Sequence, residues 1–289
     1  MAPTGAPQRT QEPPFGRRSR VPQGTWRADV SVRDPCRAAR RGPAPTHRSC
    51  PVAPLTESET PTPRPPRVVP TGRGRSLTPI ISAYPSLLTR AYCVARFRII
   101  KGRFLEEIGQ FLPWGGNVLE VGCGFGLFSL YFARTRPDLQ IHGFDIDEGR
   151  VQKAEAVRRR LGLTNASFEV GDAREATLPG GLDACYMLDI IHHIPHASAL
   201  ELIEACHRQL RPGGVLIIKD VDTRPRYKMA FTWLLDVIMT KGERPEYWNR
   251  SELIGELHRV GFDVVTYAMV DLLPYPHQLY VCTKPLPTA

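Results

Sequence analysis

The chain has 289 residues, of which 42% are hydrophobic and 23% charged, with a formal net charge of +9. That is enough apolar material for one large packed domain or two small ones, and no run of 18 apolar residues is present to form a membrane-spanning helix. The charge argues for a nucleic-acid binder only until the chain is split: residues 1–80 hold fourteen Arg, no Lys and five acids, net +9, whereas residues 81–289 hold 24 basic and 24 acidic side chains, which excludes a basic nucleic-acid-binding domain as the main reading.

Residues 1–80 also carry 16 of the 28 prolines and few large apolar side chains. Such a segment buries too little surface to offset the entropy of ordering, and it reads as a disordered basic tail with no specific function. No apolar stretch of signal-peptide length follows Met1. A transit segment, a tail that touches nucleic acid or anionic lipid, and a mis-set translation start remain open alternatives.

Seven cysteines, Cys36, Cys50, Cys93, Cys123, Cys185, Cys206 and Cys282, form no CxxC pair. Three of them, Cys123, Cys185 and Cys282, lie in or beside apolar strand-like runs. This pattern fits reduced, buried thiols in a cytoplasmic protein rather than a disulfide framework or zinc site.

In chain order, the spacing of Tyr84, Leu87, Leu88, Ala91, Ala95 and Ile99 predicts a long helix over 84–111, within an N-terminal helical segment 81–114. Basic residues Arg90, Arg96, Arg98, Lys101 and Arg103 interleave with the apolar ones, and Pro113 with Gly115-Gly116 ends the helix. Strands and helices then alternate. Strands are expected over 117–121, 140–144, 167–170, 182–188, 215–219, 262–269 and 277–283, and helices over 125–134, 148–161, 197–210 and 251–260. Asp147 is placed as the N-cap of the second of these helices. The alternation predicts an α/β fold: a Rossmann-like, doubly wound, mostly parallel seven-stranded sheet with helices on both faces. The last two strands, joined by the Pro274/Pro276 turn with no helix between them, make the final strand antiparallel.

The stretch Val118-Leu119-Glu120-Val121-Gly122-Cys123-Gly124-Phe125-Gly126 follows a strand and opens a helix. Glycines there let a backbone approach a ligand closely, and the helix start offers unpaired N–H groups. About 20 residues further, Asp145 ends the next strand, where a carboxylate can accept both hydroxyls of a ribose. A dinucleotide loop would carry its third glycine at 127, which is Leu127. A pyrophosphate beside the Glu120 carboxylate would be repelled, whereas a ligand with an ammonium and a sulfonium would not. The loop therefore favours S-adenosylmethionine (SAM) over a nicotinamide cofactor.

With these residues in view, the chain resembles the class I SAM-dependent methyltransferases over about residues 115–284. VLEVGCGFG resembles their glycine motif and HGFDID their ribose-binding strand end. Phe168–Ala173 resembles the adenine-binding motif, and Leu210-Arg211-Pro212-Gly213-Gly214 the turn into the fifth strand. The resemblance implies a methyltransferase domain over 115–289 in which Glu120, Gly122, Cys123 and Gly124 line the methionine end of SAM. It places Asp145 on the ribose, Ile146 over the adenine, Asp172 and Ala173 at the adenine edge, and Leu188 and Asp189 beneath the sulfonium.

Methyl transfer requires an aligned acceptor and exclusion of water, and a hydroxyl acceptor also needs a base. Asp189–His196 follows the fourth strand and resembles the "LHHxPD" stretch of small-molecule methyltransferases, with His196 where the acid is expected. His193, and after it His192, are the candidate bases; one histidine could instead brace the loop while the other packs. His192, His193 and His196 lack a partner set with zinc spacing, and no metal is expected.

Residues 222–250 form an insert whose centre, Met229–Met239, is apolar almost all round. It must be covered, either by packing on helix 84–111, by a dimer contact, or as a lid over a hydrophobic acceptor. The reading is a cytoplasmic monomeric or homodimeric enzyme that methylates a small, hydrophobic, lipid-like molecule, with O-methylation first. Peripheral membrane contact through helix 84–111 is open, and no specific nucleic-acid partner is expected. The alternatives are a non-catalytic SAM-binding or adaptor protein and, behind it, an NAD(P) oxidoreductase.

Overall fold

A computed structural model of the chain describes residues 28–30, 77–99, 103–175, 177–223, 245–268 and 277–287. The Met229–Met239 stretch, the Pro274/Pro276 turn and nearly all of the N-terminal tail lie outside these residues.

Four strands form a parallel run. β2 (Gly116–Val121) pairs with β3 (Leu139–Asp145) on one side and β5 (Leu182–Leu188) on the other, and β4 (Ala166–Val170) extends β3. β6 (Leu210–Val221) adds in parallel to β5. β8 (His277–Thr283) then lies antiparallel between β6 and β7 (Asp263–Ala268). These seven strands are the expected sheet, with the last strand reversed. A three-residue strand from the tail, β1 (Ala28–Val30), pairs antiparallel with β7 as an eighth, so the edge-to-edge order is β1-β7-β8-β6-β5-β2-β3-β4.

Helices cover both faces, as the near-continuous apolar strands require. On one face lie α1 (Thr78–Ala83), α3 (Arg103–Gly109), α4 (Leu127–Thr135) and α5 (Glu148–Arg160), which supply Ile80, Phe104, Ile108, Leu130, Phe132 and Val157 to the core. On the other lie α6 (His196–Gln209) and α7 (Arg250–Val260), with Leu202, Ile203, Leu253 and Leu257. Asp147 caps α5 as expected, its carboxylate accepting from the Arg150 N–H at 2.9 Å. All five described cysteines are buried and free, and the Cys185 and Cys206 sulfurs lie 3.6 Å apart. Among the described residues no helix is long and apolar enough to cross a membrane.

The N-terminal helix is broken. The expected helix over 84–111 starts later, as α2 (Leu87–Ile99), with α3 further along and residues 100–102 outside the described residues, and a separate short helix, α1, precedes it. Pro85 disfavours helical geometry at the preceding residue, and Tyr84 is extended, at φ −67° and ψ 133°. α2 buries a different side from the one its apolar spacing suggests. Leu87 and Leu88 are 77% and 82% exposed, and Thr89 and Cys93 face the core instead.

β6 runs two residues past its expected end at Lys219, and this carries Asp220 into the sheet. Neighbouring strand residues point to opposite faces. Lys219 therefore lies on the α3 face, 5.5 Å from the Phe104 ring, and Asp220 on the α6 face. Both are buried.

Candidate active site

The carboxyl ends of β5, β2, β3 and β4 lie in one row, and the candidate residues follow those strand ends. After β2 the chain turns through Gly122 and Cys123, whose N–H groups both donate to the Phe144 carbonyl at 2.9 Å. Gly126 caps α4 in the left-handed conformation, φ +71°, and a Cβ there would lie 2.7 Å from the Ala154 Cβ and 2.8 Å from the Phe168 ring. Gly124 is also left-handed, φ +52°, but it faces space: a Cβ would meet only the Asp145 Oδ2, at 3.9 Å. Of the three glycines of this loop, Gly122, whose Cβ would run into Ile190, and Gly126 are required by packing, and Gly124 leaves room.

Asp145 is buried at the end of β3. Its Oδ2 accepts from the Gly124 N–H at 2.8 Å and its Oδ1 from the Asp147 N–H at 2.9 Å. These two backbone bonds fix the carboxylate and leave lone pairs on both oxygens. Ile146, next in the chain, is 62% exposed. Gly171, after β4, donates to the Asp145 carbonyl at 3.1 Å, which brings Asp172 and Ala173 beside this strand end. Asp172 is held by Arg174 through Nε–Oδ1 at 2.9 Å and Nη2–Oδ2 at 2.5 Å, and these bonds lower its carboxyl below the usual range.

Glu120 does not line the loop surface. It is buried behind it, accepting from the Ser129 hydroxyl of α4, which also contacts the Tyr186 hydroxyl of β5 at 2.9 Å. Burial pushes the Glu120 carboxyl up to about 8, against the opposing pull of its hydrogen bonds from Ser129 and Tyr186.

Leu188 is buried at the end of β5, and Asp189 follows with a left-handed backbone, φ +57°. The Lys219 ammonium grips both Asp189 oxygens at 2.5 and 2.7 Å, Arg96 of α2 reaches Oδ2 at 3.0 Å, and His277 Nε2 lies 3.6 Å from Oδ1. Burial alone would raise the Asp189 carboxyl; the charges of Lys219, His277 and Arg96 outweigh it and hold the group well below the usual range.

The histidines separate. His192 is 3% exposed, and its Nδ1 lies 2.5 Å from Asp220 Oδ1, while its backbone N–H donates to Oδ2 at 3.1 Å. His193 is exposed, its ring 4.1 Å from that of His192. His196 opens α6, and the acid missing from its position is supplied from elsewhere: the Glu246 carboxylate accepts the His196 N–H at 3.0 Å. The Glu246 N–H donates in turn to the His192 carbonyl at 2.8 Å. Tyr247 stacks on His192 at 5.5 Å and Trp248 on His196 at 3.9 Å. Among the described residues no cluster of three His, Cys, Asp or Glu is set to hold a metal.

A family model described as a methyltransferase domain matches residues 94–267, well over half of the chain. The chain belongs to the methyltransferase-domain family. Curated relatives include a "Ubiquinone biosynthesis O-methyltransferase" of Pseudomonas paraeruginosa, 27% identical over 152 residues, covering 46% of this chain and 64% of that protein. One from Ruegeria pomeroyi bearing the same name is 26% identical over 174 residues, covering 58% of this chain and 68% of that protein. Among solved structures, the SAM-dependent methyltransferase SibL shares the fold at TM-score 0.57 and 20% identity, covering 71% of this chain and 61% of that one. The [4+2]-cyclase SpnF shares it at TM-score 0.51 and 18% identity, covering 64% of this chain and 81% of that one.

Family membership makes SAM the implied cofactor, and the residues present fit it. The open side of Gly124, the backbone-fixed Asp145 carboxylate beside it and the exposed apolar Ile146 lie next to one another at the strand ends. Of the residues anticipated from the sequence, Gly122, Cys123, Gly124, Asp145 and Ile146 are brought together, with Asp172 and Ala173 adjoining. Leu188 and Asp189 stand at the end of β5, the neighbour of β2 on the side away from β3, and Glu120 lies behind the loop. Sequence reasoning missed Lys219, Asp220, Arg96 and Glu246. The first two were signalled by charges closing an apolar run, whereas Arg96 and Glu246 are joined to the site only by the fold.

Proposed function

We propose that this chain transfers the methyl group of SAM to a hydroxyl of a small, hydrophobic acceptor. The observation that carries the reading is the juxtaposition, along one row of strand ends, of the Asp145–Gly124 cradle and the buried His192–Asp220 pair. The O-methyltransferase names of the curated relatives support oxygen as the methyl acceptor.

SAM brings a methyl carbon already activated by its sulfonium, so the protein's part is binding, orientation and proton removal. Asp145 accepts the ribose hydroxyls, Ile146 covers the adenine, and Asp172 with Ala173 meets its edge. Gly122, Cys123 and Gly124 give the methionine end close access to backbone, with Leu188 and Asp189 below it. Glu120 acts from behind the loop: an approaching ammonium favours its charged form. Lys219 and Arg96 hold Asp189 in place. With SAM bound, the acceptor hydroxyl would give its proton to His193 as its oxygen takes the methyl group and the S–C bond breaks to leave S-adenosylhomocysteine, with His192 as the second candidate base.

The test is calorimetric titration followed by turnover with a labelled methyl donor on hydroxylated aromatic and lipid-like acceptors. Binding of SAM and S-adenosylhomocysteine but not NADH, with label entering an ether, is the expected result. NADH binding would reject it. A second reading, a SAM-binding protein without methyl transfer, is favoured by one observation, the shared fold of the cyclase SpnF. SAM binding with no label transferred to any acceptor would select it.

A further inference from the structure

We propose that α2 is a docking surface for an anionic lipid bilayer. Leu87, Leu88, Ala91, Val94 and Ala95 are all exposed, with Leu87 at 77%, Leu88 at 82% and Val94 at 42%. Positions spaced by three, four and seven along a helix share one side, and Ala91 stands at such a spacing from each of the other four, so these residues form a single apolar stripe on solvent. The helix is held by its other side. Thr89 and Cys93 are buried, Arg90 donates to the Tyr84 carbonyl at 2.6 Å, Tyr92 packs on Phe125 at 5.3 Å, and Arg96 bonds Asp189.

Charge identifies the partner. From Leu77 to Leu105 the chain has five basic residues, Arg90, Arg96, Arg98, Lys101 and Arg103, and no acid. The tail that leads into it carries fourteen Arg against five acids, whereas residues 104–289 hold 19 basic and 24 acidic side chains. Along the sequence, positive charge is thus concentrated in and ahead of the helix that carries the stripe, and the rest of the chain is net acidic. A nucleic acid would use the arginines but not Leu87 and Leu88, and an apolar groove on a protein would use the leucines but not the arginines. An anionic membrane surface uses both, taking the stripe into the headgroup boundary while basic side chains meet lipid phosphates. A stripe this short binds weakly alone, so anionic lipid is required. Because α2 rests on Phe125 of the glycine loop and reaches Asp189, docking sets the cleft beside the membrane. The inference goes beyond the methylation reading and does not depend on it.

The test is co-sedimentation of the full-length chain with phosphatidylcholine vesicles, with and without phosphatidylglycerol, alongside the Leu87→Glu/Leu88→Glu double variant. The expected result is binding only when phosphatidylglycerol is present, weakened by salt and reduced about tenfold or more in the double variant at unchanged Tm. Should the double variant not fold, Leu88→Trp replaces it: a blue shift of the added fluorescence on anionic vesicles supports docking, and an unshifted spectrum rejects it. The proposal is also overturned by absence of vesicle binding, by equal binding of the double variant, or by stronger competition from RNA than from lipid. A wild-type dimer that the double variant dissolves on gel filtration would assign the stripe to a second copy instead, and likewise overturn it.

Discussion

Gly124 and Asp145 meet across the ends of two neighbouring strands, the glycine N–H donating to the carboxylate at 2.8 Å. The bond ties the glycine turn to the proposed ribose acceptor. Asp145→Ala removes both this bond and the acceptor. SAM affinity is expected to fall by at least about 1 kcal/mol, measured by calorimetry on a variant whose circular dichroism is unchanged. Undiminished affinity would displace Asp145 from the site.

Gly124 and Gly126 separate binding from folding. Gly126→Ala forces a Cβ against Ala154 and Phe168 at 2.7–2.8 Å and is expected to cost about 1–3 kcal/mol from overpacking, plus about 1–2 kcal/mol from its left-handed backbone. Gly124→Ala meets no such neighbour, so it bears only the backbone cost of about 1–2 kcal/mol, while its methyl occupies the open side of the loop. Chemical denaturation and SAM titration of the two variants should rank oppositely: Gly126→Ala is the less stable, and Gly124→Ala keeps its fold yet loses binding.

Glu120 makes stability depend on pH. The folded protein keeps a proton on this carboxyl up to about 8, whereas an ordinary glutamate gives it up near 4.5. Between those values the folded state holds more protons than the unfolded one, so stability falls as pH rises, by up to about 1.4 kcal/mol per pH unit. Glu120→Gln has no proton to lose. Urea denaturation at about pH 5.5 and about pH 8.5 should show the variant gaining on wild type as pH rises; a constant difference would mean Glu120 is charged in the folded protein.

The His192–Asp220 pair is buried on both sides, and breaking one side strands the other. Asp220→Ala is expected to cost about 3–5 kcal/mol in denaturation. Asp220→Asn can still accept from the His192 N–H and should be milder. His193→Ala, on an exposed residue, should leave both Tm and SAM affinity unchanged while turnover drops. Full turnover in that variant would move the base to His192 or remove the need for one.

The alternation of strands and helices, the glycine loop and the Asp147 cap were legible because each rests on local chemistry: alternating apolar runs, close-approach glycines and a short acid before a helix. The range 277–283 was read to the residue, since its apolar alternation is bounded by turn residues. The setting of α2 was not legible. Leu87, Leu88, Ala91 and Ala95 follow helical spacing as a core face would, and spacing alone does not say which side is covered. Pro85 was the overlooked signal, for it separates Tyr84 and Ile80, which do enter the core, from the leucines that follow. The acid at the start of α6 was sought at position 196, where a local pattern would put it. It arrives as Glu246 from fifty residues downstream, and no periodicity carries information across that distance.

Lys219 and Asp220 are consecutive, and they meet different polar partners, Asp189 and His192, on opposite sides of the sheet. Sliding β6 by one position would exchange those sides, turning the ammonium toward His192 and the carboxylate toward Asp189. The ammonium would then lose its carboxylate partner, and the carboxylate would be buried beside Asp189, which repels it. A misaligned sheet centre is thus penalised by electrostatics at the very strand where apolar alternation is least able to distinguish one alignment from the next, since most of its side chains are greasy on either side. The two charges work as a key that admits a single pairing.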